Sequence, residues 1–227
     1  MPTPTVENYV KQIYLEQQAP GEGEGAAEAL VPMGRLAAAM GVVPGTATTM
    51  VKALADSGLV VYEPRGGVRL SRGGEQLALH VLRRHRLVEL FLTRVLGLDW
   101  SEVDAEAEAL EHAISPRLEQ AMAAHLGEPV EDPHGHPIPT REGSLAHRTL
   151  QRLCDFQAGQ RVLIREVQDD NSARLRRWQE LGLVPVAVVV IVSHHGLEDV
   201  FEVQVGDRII PLGSEGLAGL RGERLAE

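Results

Sequence analysis

The chain has 227 residues, enough for two or three small domains, and only 4% aromatic residues, so its cores must rest on Leu, Val and Ala. It has no apolar run of membrane-spanning length and no basic segment leading into an apolar one at the start, so neither a membrane partner nor a signal peptide is expected; the single cysteine, Cys154, fits a reducing cytoplasm. A net charge of −10 would argue against nucleic acid, but residues 33–94 carry a net of +5 and residues 95–140 a net of −9, which suggests two ligands of opposite sign.

From the N-terminus, Val6, Tyr9, Val10, Ile13 and Tyr14 recur at helical spacing over residues 5–17. Residues 19–32, APGEGEGAAEALVP, read as a loop. Two short helices follow, MGRLAAAMG and VPGTATTMVKALADSG, stopped by Gly41 and Gly58. The turn between them, Gly41, Val42, Val43 and Pro44, has the length a helix-turn-helix needs. Residues 59–62 and 68–70 flank Pro64, Arg65, Gly66 and Gly67 and read as a hairpin. The arrangement is that of a winged helix, whose second helix enters the major groove while the hairpin follows the backbone. Pro44 and Gly45 let that helix's N-terminus approach phosphate, where free N–H groups favour anions. Thr46, Thr48 and Thr49 in its first turns read bases through thymine methyl contact, water and groove fit. Arg35, Lys52, Arg65, Arg69 and Arg72 are the candidates for holding phosphate.

A long helix spans residues 73–96, and its apolar positions Leu77, Val81, Val88, Leu92 and Val95 exceed the need of one small core, so a dimer contact is expected. Next comes DAEAEALEHAIS, residues 104–115. On a helix Asp104, Glu108, Glu111 and His112 share one face, and like charges four apart destabilise a helix unless something positive sits between them. A divalent cation would serve. His85 and Glu89 form a second pair at i,i+4. Carboxylates with one or two imidazoles and no thiolate suit Mn²⁺ or Fe²⁺, although Zn²⁺ should still bind by raw affinity.

A further helix begins near Ser115 and Pro116, and the four prolines of EPVEDPHGHPIPTREG end the helical region. His134 and His136 in that loop read as satisfying its backbone. A linker helix is expected over residues 144–156, then short β-type runs at 161–167, 186–192, 199–205 and 208–211, with a helical turn or two in SARLRRWQELGLVP. His194 and His195 read as an exposed turn and Cys154 as a half-buried thiol. The expected fold class is therefore α+β and multidomain: a winged helix-turn-helix over 1–72, a helical metal-binding and dimerisation domain over 73–140, a linker over 141–157 and a small SH3-like β-barrel over 158–227.

This order of parts, with RHRLVELFL, GLDW, VDAEAEALEHAIS and DPHGHPIP inside it, resembles the diphtheria-toxin-repressor family of metal-activated, homodimeric transcriptional repressors. RLRRWQELGLVP resembles the related SH3-like barrel of iron-uptake accessory proteins. The resemblance implies a primary metal site on Glu108, Glu111 and His112; Glu108 stands where iron sensors carry cysteine and manganese sensors glutamate. It implies a first-helix ligand at Asn8, where manganese sensors carry Asp. Lys11 stands where some manganese regulators carry a second acid, so a closely paired binuclear site is not expected. Asp132 takes the place of the loop cysteine that ligates in some streptococcal regulators. An ancillary site falls on His85, Glu89 and Asp104. The barrel positions that complete it in iron sensors are Asn171 and Arg174; because arginine cannot ligate, Asp169 or Asp170 is left to serve.

The function implied is a cytoplasmic, homodimeric repressor, or a dual regulator, that binds double-stranded operator DNA of metal-uptake genes when Mn²⁺ (or Fe²⁺) is bound. Two other readings remain open. A metal-dependent hydrolase could use the carboxylate cluster with an open coordination position, but it would have no need of a basic winged helix. A winged-helix regulator with an organic effector would be separated by metal analysis. No nucleophile–base pair is legible, so no enzyme is expected.

Overall fold

The computed structural model describes residues 2–18, 29–168 and 171–226, so most of the Gly/Glu-rich segment and both Asp169 and Asp170 lie outside the described residues. The chain divides into two compact units, residues 1–84 with 139–144, and residues 85–138 with 145–227.

In the first unit helix α1 (Pro4–Gln17) starts on Thr3, whose side chain accepts from the Val6 N–H, with Pro4 in the first turn. Its buried face is the expected one, Tyr9, Val10, Ile13 and Tyr14. Helices α2 (Met33–Ala39) and α3 (Pro44–Asp56) are joined through residues 40–43. Gly41 at φ +63° and Gly58 at φ +75° take the left-handed conformation that ends each helix. Leu36, Ala47, Val51 and Leu54 pack as the core of this motif. Strands β1 (Val60–Glu63) and β2 (Gly67–Leu70) pair antiparallel as the wing, Val60 opposite Leu70 and Glu63 opposite Gly67. The Gln17 amide accepts from Leu70 N and donates to the Ala29 carbonyl, tying α1 to the wing.

Helix α4 (Arg72–Arg94) contains the boundary between the units, which falls after Arg84. In the second unit, α5 (Val103–Leu110) and α6 (Pro116–His125) pack on it. Val88, Leu92, Val103, Ala107 and Met122 form one cluster, and Leu87, Leu90, Ala123 and Ile138 another. The apolar surplus expected of the long helix is therefore mostly spent inside the chain. Val81, Val88 and Leu92 are buried, while Val95 (41% exposed) and Leu96 (58%) remain uncovered at its C-terminal end. The acid-rich helix is also shorter than expected. It ends at Leu110, with Glu111 as C-cap and His112 in the following turn. Ser115, held in an extended conformation before Pro116, is instead used to cap α6 through the Leu118 N–H.

The expected linker helix over 144–156 does not form. Strand β3 (Gln151–Arg152) pairs with the end of the chain, and a 3₁₀ turn, Leu153–Asp155, buries Leu153 completely. The C-terminal domain then runs β4 (Arg161–Val167), α7 (Ser172–Leu181), β5 (Val188–His195), β6 (Val200–Val205), β7 (Arg208–Gly213), α8 (Ser214–Leu217) and β8 (Leu220–Arg224). Its six strands form one antiparallel sheet in the order β3-β8-β4-β5-β6-β7. Bulges at Ile164/Glu166 and Ile191/Ser193 bend it. Trp178, Phe201, Leu183, Ile164 and Ile191 lie in its core. The second expected β run starts later, with Val186 at φ +70° outside the strand, and it continues to His195. His194 and His195 consequently lie on β5 rather than in a turn, and His194 stacks on Phe201 with 3.8 Å between ring centres. Among the described residues no helix is long and apolar enough to cross a membrane.

Candidate metal centre and nucleic-acid interface

Helix α4 carries His85 and Glu89 one turn apart on one face, both buried. Helix α5 and its C-cap bring Asp104, Glu108 and Glu111 against them. His85 Nδ1 lies 2.7 Å from Glu111 Oε2 and 4.0 Å from Glu108 Oε1. Its Nε2 lies 3.3 Å from Asp104 Oδ1 and 3.7 Å from Glu89 Oε1. Four carboxylates thus converge on one imidazole. Glu111 is wholly buried, and His112 Nε2 stands 3.5 Å from its other oxygen. His85, Glu89 and Asp104 present ligand atoms within 4.8 Å of one another, and so do His85, Glu108 and Glu111. His85, Glu89 and Asp104 come together as expected of the second group, whereas Glu108 and Glu111 meet His85 instead of forming a group with His112, which stands beside Glu111.

Glu89 and Glu111 are buried while Asp104 is exposed and Glu108 half-exposed, and a buried carboxyl beside other acids resists ionising. Burial, reinforced by the Asp132 and Asp104 charges, pushes the Glu89 carboxyl up to about 8, against the pull of His85 and Arg86. A divalent cation bound at Glu89 would displace the carboxyl proton.

The 132–136 loop supplies a third group, Asp132, His134 and His136. Asp132 Oδ1 accepts from the backbone N–H of His134 (2.8 Å) and of His136 (3.0 Å), an Asx turn. Its Oδ2 is buried with no hydrogen bond of good geometry, although His136 Nδ1 (3.3 Å) and Arg86 Nε (3.5 Å) stand near. Burial would raise this carboxyl, but His136 and Arg86 together outweigh it and hold the group ionised. His134 faces the other way. Its Nε2–H donates to the Trp100 carbonyl at 3.0 Å, since a carbonyl can only accept, and its ring stacks on the Trp100 indole at 5.2 Å. That leaves Nδ1 as a lone pair 3.6 Å from Glu89 Oε1, and burial favours the neutral ring. Asp132 accordingly joins His134 and His136 beside Glu89, rather than the Glu108 and Glu111 group. His134 is the site residue that sequence reasoning passed over. Its signal was the spacing of two from Asp132 in a Pro/Gly-rich loop.

In the first unit Asn8 Oδ1 is buried without a hydrogen-bond partner, which costs about 1–3 kcal/mol unless some group engages it. Lys11 is buried as well. In the C-terminal domain the Asn171 side chain caps α7, accepting from Ala173 N and Arg174 N, and Arg174 lies over the Trp178 ring. The donor set of carboxylates and imidazoles, with no thiolate among them, fits Mn²⁺ or Fe²⁺.

On the basic side, Pro44, Gly45, Thr46, Thr49 and Lys52 are exposed along α3, with Thr48 half-buried. The Thr48 and Thr49 hydroxyls donate to the carbonyls of Pro44 and Gly45, so they meet a base or phosphate as acceptors or through their methyls. Val43, 68% exposed at the N-cap of α3, is an apolar member of this surface that sequence reading left out. Arg65 stands at the wing tip at φ +70°; Arg72 is exposed and Arg69 partly so. Arg35 is engaged within the unit, paired with the Glu16 carboxylate and donating to its carbonyl at 2.7 Å.

Three family models match successive parts of the chain. They are the iron dependent repressor N-terminal DNA binding domain (residues 1–68), the iron dependent repressor metal binding and dimerisation domain (71–140) and the FeoA domain (151–218). The iron-dependent repressor IdeR of Mycobacterium leprae is 31% identical over 202 residues, covering 82% of this chain and 83% of that protein. The HTH-type transcriptional regulator MntR of Lysinibacillus sphaericus is 35% identical over 115 residues, 51% of this chain and 76% of that protein. A solved structure of a manganese-dependent transcriptional repressor in complex with manganese superposes with a TM-score of 0.87 at 30% identity, covering 97% of this chain and all of that one.

Proposed function

The chain belongs to the iron-dependent, or diphtheria-toxin, repressor family, and from that premise we propose how it acts. It is a homodimeric, metal-dependent transcriptional repressor that binds double-stranded operator DNA through its winged helix when Mn²⁺, or Fe²⁺, occupies the helical domain. Its targets are metal-uptake genes and its place is the cytoplasm. Neither a hydrolase nor an organic effector is favoured, since the relatives are metal-dependent repressors.

The observation that carries this reading is the convergence of Glu89, Asp104, Glu108 and Glu111 on His85 within 4.0 Å. The cation supplies the positive charge that lets these carboxylates ionise side by side. We assign Glu108, Glu111 and His112 to the primary site with Asn8 as the first-helix ligand, a role supported by its unsatisfied buried oxygen. His85, Glu89 and Asp104 form the second site, where Asp132 and His134 join Glu89. Modules 1–72, 73–140 and 158–227 divide the work into reading, sensing and support. Metal bound in the helical domain biases the two reading heads of the dimer toward the operator spacing. Thr46, Thr48 and Thr49 then meet bases, while Lys52, Arg65, Arg69 and Arg72 meet phosphate.

The test is operator binding with and without Mn²⁺ for Glu111→Gln and His112→Ala. Both variants should stay folded and dimeric yet lose metal-stimulated binding. A full metal response in both would overturn the assignment.

A further inference from the structure

The C-terminal sheet domain grips the loop that carries Asp132 and His134, and the grip is made of backbone. Gly135, at φ +86°, lies so close to β4 that an added Cβ would stand 1.9 Å from the Arg165 carbonyl oxygen and 3.3 Å from the Pro185 side chain. The His134 carbonyl accepts from Val167 N–H, the last residue of β4, at 2.9 Å. Arg148 donates to the Gly135 carbonyl at 3.1 Å and pairs with Glu131. Behind the His134 ring, the Trp100 indole N–H is held by Gln179 Oε1 of α7 at 2.7 Å. Groups of the sheet domain therefore fix the main chain of His134 directly and its ring through Trp100, and this is the orientation that leaves Nδ1 facing Glu89.

We infer that the sheet domain works as a clamp, with Gly135, Arg148 and Gln179 as positioning residues that set the Mn²⁺ affinity of the group formed by Glu89, Asp132 and His134, independently of any ligand the domain itself contributes. The inference rests on the assignment of His134 to the second site. The physical basis is preorganisation. Donors must be held to within about half an ångström of their productive places, and removing a group that orients a ligand typically weakens metal binding about 10- to 100-fold. Alanine at position 135 meets both obstacles at once, a left-handed φ and a backbone oxygen in the way, so the loop must leave β4.

The experiment compares the full chain with Arg148→Gln, Gly135→Ala and His134→Ala. Mn²⁺ affinity and stoichiometry are read by calorimetry, and exchange of the Val167 amide is followed in the metal-free protein. Arg148→Gln and Gly135→Ala should keep the number of ions bound, weaken one class of site by about tenfold or more, leave the other class unchanged, and speed Val167 exchange. His134→Ala should lose the weakened class outright. If His134→Ala binds Mn²⁺ as the parent does, the site assignment fails and takes the clamp with it. If His134→Ala is impaired but the other two variants bind as the parent, or Val167 exchange does not change, the clamp alone is overturned. Should Gly135→Ala fail to fold, Arg148→Gln decides the matter, because Arg148 touches the loop only through its side chain.

Discussion

Glu89 is the residue on which pH acts most directly. Its carboxyl is pushed up to about 8, first by burial and then by the Asp132 charge, from an ordinary value near 4.5. Between those values the folded chain holds a proton that the unfolded chain does not. The contribution of this group to the metal-free fold is therefore complete below about 4.5 and is lost as pH rises through about 8. Mn²⁺ needs the carboxylate, so affinity should climb from about pH 7 to about pH 9, with up to one proton released per ion bound at this group. Calorimetry in buffers of different ionisation enthalpy checks the proton count, and Glu89→Gln should flatten the dependence. Asp132 stays ionised because His136 and Arg86 offset its burial, so it does not mimic this behaviour. Metal choice is also decided residue by residue. Asn8→Asp adds a charge at a buried acceptor, and one charge pair at about 4 Å is worth at least about 1 kcal/mol, so Mn²⁺ should bind at least about fivefold tighter. Glu108→Cys should shift the response toward Fe²⁺ or Zn²⁺. Parallel Mn²⁺ titrations of the two variants decide both points; an unchanged affinity in Asn8→Asp would remove Asn8 from the site.

At the scale of the element, the wing sets stability against binding. Its turn is closed by Gly66 N–H on the Glu63 carbonyl at 3.0 Å, with Pro64 and then Arg65 in the central positions. A positive φ at the second of these favours glycine, and a non-glycine residue there carries strain on the order of 1 kcal/mol. Arg65→Gly should therefore leave the fold as stable or more so, yet weaken operator binding and lower the log–log salt slope by about 0.9 for the lost phosphate contact. Thermal unfolding and binding at several salt concentrations would show the two effects moving in opposite directions; an unchanged slope would take Arg65 off the phosphate. The wing and the three helices before it were legible in the sequence because each is signalled by near neighbours, the apolar period along α1 and the glycines that stop α2 and α3. Strand β3 was not. Its residues suit a helix, but Gln151 and Arg152 pair with Gly222 and Arg221 at the far end of the chain. Pairing at that separation outweighs local propensity and leaves no local trace.

Across the whole molecule the charge is segregated, with a net of +5 over residues 33–94 and of −9 over residues 95–140, where the metal would bind. Metal binding should therefore register as folding stability. Mn²⁺ at a hundredfold excess over its dissociation constant adds about 2.7 kcal/mol per site when the unfolded chain does not bind it. Calorimetric melting with Mn²⁺ and with chelator should show a higher Tm with the metal, and Glu111→Gln should lose the share of that rise due to the primary site. Equal melting temperatures in the parent chain under the two conditions would argue that the carboxylates do not share a cation. Val95 and Leu96, at the C-terminal end of the long helix, are left exposed.

The amino-acid sequence by itself determined the order of the parts and the kind of chemistry in each. Helical periods, stop glycines, the carboxylate and imidazole spacing and the reversal of charge sign are all carried by residues close together in the chain. By their spacing His85 and Glu89 share one face of the long helix α4, whereas the packing of α5 and its C-cap is what brings Asp104, Glu108 and Glu111 to the same histidine. Only the tertiary structure decided that Asp132 stands with His134 beside Glu89, that Arg35 is occupied by Glu16, and that the apolar stripe of α4 is mostly consumed within the chain. Those outcomes depend on which surfaces meet. The loop at 132–136 takes its conformation from β4 and Trp100, whose closeness to it is a matter of packed shape and backbone hydrogen bonds between distant segments rather than of any pattern written along the chain.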